Sequence, residues 1–176
     1  MLSSVMTIAL IVLLLLTFWQ DMRSRILSVW LWAVMTGIVI IIRFADAGNG
    51  VLAVGYEMGI NVLIIFWQLF FLTLYVSVKN RKLTQPVGQF LGLGDVFFWI
   101  VPTLFFTPVS FLIYWVFSLL FALAGHLIFR SLLSATYPST VPLAGMQALC
   151  MAGYVGVSKL DPTPLFACLQ IGGQHA

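Results

Sequence analysis

The chain has 176 residues, of which 62% are hydrophobic and 7% charged, with a mean hydropathy of +1.11. Soluble domains carry about 25% charged residues, so this composition leaves no room for a separate soluble domain and predicts a polytopic, all-α integral membrane protein. The net charge of +3 sits in short connecting segments, as membrane topology alone produces, and argues against nucleic acid as a partner.

A helical span needs about 20 apolar residues. Residues 2–20 supply the first and end at Asp21. This segment has no basic n-region and no small-x-small cleavage site, so it reads as a retained span rather than a secretory leader. Residues 26–42, closed by Arg43, supply the second. The turn formers Gly48, Asn49 and Gly50 lead to a third span over 51–78, with Glu57 in its first turns. Lys79, Asn80, Arg81 and Lys82 form a basic connector. From Val87 to Phe129 the only charge is Asp95. That run is too long for one crossing, and proline cannot donate to a continuing helix, so Thr107-Pro108 is the expected break. It divides the run into spans over 87–106 and 109–129. A sixth span is expected over 141–157, and the tail 158–176 reads as an interfacial segment.

The lysines and arginines set the expected orientation. With six spans, one side collects Arg23, Arg25, Lys79, Arg81, Lys82 and Arg130, and the other only Arg43 and Lys159. The first side is then cytoplasmic. Asp21 ends span one on that side. Asp95 is expected about two turns into span four from the same side. A carboxylate at membrane depth costs from about 2.5 kcal/mol upward and is a functional candidate for that reason. Two of them at one membrane surface suit acid–base chemistry. A carboxylate dyad can share one proton, so that one group activates water while the other polarises a carbonyl. Taken alone, Asp21 also reads as a helix-end partner of Arg25, four residues on. Gly92 and Gly94 also read as a packing notch.

Other residues carry weaker signals. Cys150 and Cys168 form no CxxC and have no histidine pair nearby, so no metal, cofactor or disulfide framework is indicated. His126 reads as an interior histidine and Gln68 as an interhelical hydrogen-bond donor. Trp19 and Trp30 read as interfacial anchors.

Asp21-Met22-Arg23-Ser24-Arg25-Ile26 after span one, followed by Gly92-Leu93-Gly94-Asp95 in span four, resembles the type IV prepilin peptidases. These are intramembrane aspartyl proteases of the GxGD type. Pro142-Leu143-Ala144-Gly145 resembles the proline-containing start of that family's last helix. The resemblance covers nearly the whole chain in order and spacing. It implies a six-helix bundle in a bacterial or archaeal cytoplasmic membrane that cleaves short basic leaders from prepilin-like membrane proteins, on the cytoplasmic side. It also implies catalytic roles for Asp21 and Asp95, with Gly92, Gly94, Arg23, Arg25 and Pro142 as supporting motif residues. Many members carry a lysine two residues after the GxGD aspartate, where this chain has Phe97. The cytosolic zinc-binding segment of larger members is absent from the sequence. Two other functions compete: a small proton- or ion-coupled transporter subunit using the same aspartates, and an inactive relative that scaffolds pilus or secretion assembly.

Overall fold

The computed structural model describes residues 2–24, 28–47, 50–81, 92–132 and 143–160. These form six α-helices and no strand: α1 (Leu2–Ser24), α2 (Val29–Ala47), α3 (Val51–Asn80), α4 (Leu93–Phe105), α5 (Pro108–Leu132) and α6 (Leu143–Leu160). Ser4–Ser24, Val51–Asn80 and Pro108–Ile128 are long and apolar enough to cross a membrane. Val29–Ala45, Leu93–Phe105 and Leu143–Ser158 are apolar but shorter. The expected break at Thr107-Pro108 falls between α4 and α5. The start of span four does not match. Helix α4 opens at Gly92, which is extended (φ −68°, ψ 143°). Asp95 therefore sits in the first turn of α4, not two turns inside it.

The helices pack through narrow stripes. On α1 the buried positions are Thr7, Leu10, Leu14, Thr17 and Asp21, spaced by three and four residues along one face. On α6 they include Ala144, Ala148, Met151, Ala152 and Val155. The small residues of α6 let α1 approach closely, which is how membrane helices associate when lipid supplies no hydrophobic drive. Helix α6 packs against α1, α4 and α5, while α2 lies against α1 and α4. Met35, Val39, Phe98, Val101 and Phe111 complete the core between these helices. Helix α3 lies against α2, α4 and α5 and exposes Leu63, Phe66, Trp67, Phe70, Phe71 and Leu74. An outer face of that composition suits lipid.

The α4–α5 break has its own support, which composition did not reveal. Pro102 lies inside α4, Phe106 turns extended, and Pro108 opens α5. The last carbonyls of α4 therefore lack helical donors. Asn61, fully buried on α3, donates Nδ2 to Thr103 O at 3.0 Å and to Phe106 O at 2.7 Å. One turn earlier on α3, Glu57 pairs with Arg43 of α2. Asn61 is an interhelical donor on α3, whereas Gln68 makes no hydrogen bond to a described residue. Replacing Asn61 by leucine orphans two buried carbonyls, and the expected loss is about 1–3 kcal/mol of stability. Unfolding in mixed micelles measures it. An unchanged midpoint would show that the break does not depend on Asn61.

Candidate active site

Three helix ends meet at the two aspartates. Helix α1 brings Asp21 at the end of its buried stripe, where the side chain is 7% exposed. Helix α4 brings Asp95 in its first turn. There the Asp95 carboxylate reaches back to its own helix start: Gly92 N–H donates to Asp95 Oδ2 at 3.2 Å, and Asp95 N–H donates to Gly92 O at 3.1 Å. This is the usual reciprocal arrangement at a helix N-terminus, where a side chain satisfies a donor the helix leaves orphaned. A Cβ on Gly92 would lie 3.1 Å from Asp95 Oδ2.

Helix α6 supplies the third end and joins the other two. Ala144 N–H donates to Asp95 Oδ1 at 2.9 Å. The next amide, Gly145 N–H, donates to Asp21 Oδ2 at 2.6 Å. Both donors belong to the first turn of α6, whose amides have no intrahelical acceptor. Carboxylates carried by α1 and α4 are thus held side by side by consecutive peptide units of α6. They lie within electrostatic reach of each other. Gly145 is required by proximity: a Cβ there would fall 2.9 Å from Asp21 Oδ2 and 3.0 Å from Asp21 Cβ.

This geometry changes the electrostatic reading of the pair. By sequence, Asp21 sits at a helix C-terminus, where the dipole opposes negative charge, and Asp95 near an N-terminus, where it favours it. The N-terminus of α6 points at both. The disadvantage of Asp21 is therefore offset by the α6 amide it accepts from.

The other motif residues fall in different places. Gly94 is half-buried in α4 and Arg23 is exposed in the last turn of α1. Arg25 and Pro142 lie outside the described residues, so the Asp21–Arg25 pairing does too. Phe97 is 46% exposed and packs on Trp32 of α2, with ring centroids 5.4 Å apart. Two residues along a helix turn the side chain to the opposite face. Phe97 therefore faces α2, while Asp95 faces α6. His126 is buried in α5, Trp19 and Trp30 are exposed, and Cys150 packs partly buried against the core. Among the described residues no group of three or more His, Cys, Asp or Glu side chains could hold a metal ion.

Sequence reasoning singled out the 142–145 segment but not its role. It also missed Trp99, Tyr114 and Gln147, a buried polar cluster beneath the aspartates. The usable signal was present: Ala144, Gly145, Ala148 and Ala152 form a small-residue seam at helical spacing, the mark of close helix contact. No family model, curated protein or solved structure matches the chain.

Proposed function

We propose that the chain is a membrane-embedded aspartic endopeptidase that removes leader peptides from type IV prepilin-like proteins at the cytoplasmic membrane face. One observation carries this reading. Two carboxylates from separate helices, α1 and α4, converge on adjacent amides of a third. Ion-pair chemistry has no use for two like charges brought together; a shared proton does.

The chemistry follows from that pairing. Two adjacent carboxyls cannot both ionise easily, so the pair holds one proton between them. The N-termini of α4 and α6 favour the single remaining negative charge. The ionised member draws a proton from water, and the resulting hydroxide attacks the scissile carbonyl. The protonated member donates to the carbonyl oxygen as the tetrahedral intermediate forms. Collapse of the intermediate breaks the C–N bond, and the proton taken from water passes to the leaving amine. Asp21 and Asp95 fill these two roles as a unit, and no cofactor is required.

The six-span topology with both aspartates on the basic, cytoplasmic side belongs to this same proposal, supported by the distribution of lysine and arginine. The transporter alternative needs a polar route to the far side. Among the described residues, Arg43 and Glu57 pair with each other and Asn61 donates to backbone carbonyls, which favours the peptidase. Cleavage of candidate prepilins in proteoliposomes, wild type against Asp21→Asn and Asp95→Asn, tests the proposal. The scaffold reading expects no cleavage and tolerance of both substitutions in assembly.

Substrate recognition adds an expectation. A prepilin-like substrate presents a short basic leader followed by an apolar helix. The exposed Arg23, Lys79 and Arg81 repel a basic leader, so the apolar helix must supply most of the affinity. A soluble leader peptide lacking it is expected to lose turnover as well as binding, because remote contacts orient the scissile bond. Equal kcat/KM for truncated and complete substrates in detergent would refute this account of capture.

A further inference from the structure

A second polar junction lies one turn deeper in the bundle than the aspartates. Gln147 follows Ala144 by three residues on α6, and Trp99 follows Asp95 by four on α4. Residues at these spacings stack along one helix face. The Trp99–Gln147 contact therefore sits directly beneath the Asp95–Ala144 contact in the same interface. Trp99 Nε1 donates to Gln147 Oε1 at 3.1 Å. The hydroxyl of Tyr114, on α5, donates to the backbone carbonyl of Gln147 at 2.9 Å. Trp99 also stacks edge-on against Trp115 of α5, with centroids 4.7 Å apart. Gln147 is completely buried and joins α4, α5 and α6 at one point.

Bundle stability gains little from a glutamine here, because one satisfied amide atom is offset by one that is not. Its Nε2 is buried and finds no acceptor among the described residues. A buried donor without an acceptor costs at least as much as one neutral hydrogen bond returns. A leucine of similar volume would remove that cost but leave the buried Trp99 Nε1 without its acceptor, so the exchange is close to neutral for stability. What the glutamine does supply is direction. Apolar contacts between membrane helices tolerate small axial slips, whereas a hydrogen bond between a rigid indole and an amide oxygen does not. A slip of α6 along α4 by a fraction of a turn would carry Ala144 N–H off Asp95, and with it Gly145 N–H off Asp21.

We propose that Gln147 is a positioning residue: through Trp99 it fixes the axial register of α6 against α4, and so keeps consecutive α6 amides on the two aspartates. The consequence for turnover rests on the endopeptidase reading; the register itself does not.

The experiment uses the full chain in nanodiscs, as wild type, Gln147→Leu, Trp99→Phe and the double variant. Hydrogen exchange at the Ala144 and Gly145 amides is expected to quicken by about tenfold in each single variant, while Met151 and Val155 in the same helix keep their protection. The thermal midpoint of Gln147→Leu is expected to change little, because relief of the Gln147 Nε2 donor is offset by the loss of an acceptor for Trp99 Nε1. On a prepilin substrate, kcat should fall on the order of 10²-fold with KM nearly unchanged. The double variant should be no worse than either single one, because both act through one bond. Unchanged exchange at Ala144 and Gly145 in both single variants would overturn the proposal, whether or not the chain cleaves anything. Faster exchange with undiminished kcat would overturn the positioning role. A wild type that cleaves no substrate defeats the endopeptidase reading instead, and the exchange result still decides the register.

Discussion

Asp21→Asn and Asp95→Asn are each expected to lower prepilin cleavage by at least about 10³-fold, in the range that loss of general acid–base catalysis produces. The asparagine amide keeps an oxygen in the place of the carboxylate oxygen. It can therefore still accept the α6 amide, from Gly145 in one case and Ala144 in the other. The helix junction survives, and the thermal midpoint should move little. What is lost is the exchangeable proton, and without it neither water activation nor carbonyl polarisation can be completed by the pair. On the proposed dyad mechanism the carboxyls act as one unit, and the double variant should be about as impaired as either single variant rather than the product of both. The pH–rate profile of the wild type should show two limbs that belong to the pair and not to one residue. Single-turnover cleavage in proteoliposomes reads the effect. Either single variant turning over within tenfold of wild type would end the dyad mechanism.

How much of this was readable from residues alone divides along physical lines. The apolar runs fixed the all-α class, because a chain with so few charges has little choice but to bury its backbone polar groups in helices. Proline chemistry placed the α4–α5 break. The two aspartates stood out because charge is costly where they lie. The start of α4 was misplaced, since hydropathy continues smoothly through 87–92 and does not register that Asp95 can satisfy Gly92 N–H. The amides of Ala144 and Gly145 were invisible for a different reason. Backbone donors carry no residue-type signature, and their role depends on which helix end folds against which. Asn61 and Gln147 were hidden likewise: a lone amide in an apolar run has a partner only once its neighbours are known. Each of the three amide-based contacts joins segments at least forty positions apart, beyond the reach of any local pattern.

The same dependence on backbone approach makes Gly145 the most informative position outside the aspartates. Adding one methyl at Gly145 is expected to reduce kcat on the order of 10²-fold, the cost of a displacement near 1 Å at reacting groups. The new Cβ would stand 2.9 Å from Asp21 Oδ2 and 3.0 Å from Asp21 Cβ. Contact with the Cβ of Asp21 cannot be relieved by rotating the side chain, so α1 and α6 must separate or the carboxylate must leave its amide. Gly153 and Gly156 lie on the same helix, with nothing within 4 Å of an added Cβ. There the identical change should stabilise α6 by about 0.5–1 kcal/mol, the helix advantage of alanine over glycine, and leave turnover alone. Helix propensity therefore expects all three substitutions to act alike, and only the packing of Asp21 on α6 separates them. Measuring kcat and the thermal midpoint for Gly145→Ala beside Gly153→Ala decides between the two. If Gly145→Ala leaves cleavage at the wild-type rate, the α6 amide does not hold Asp21 during the proposed reaction, and the convergence of the two carboxylates loses its mechanical basis.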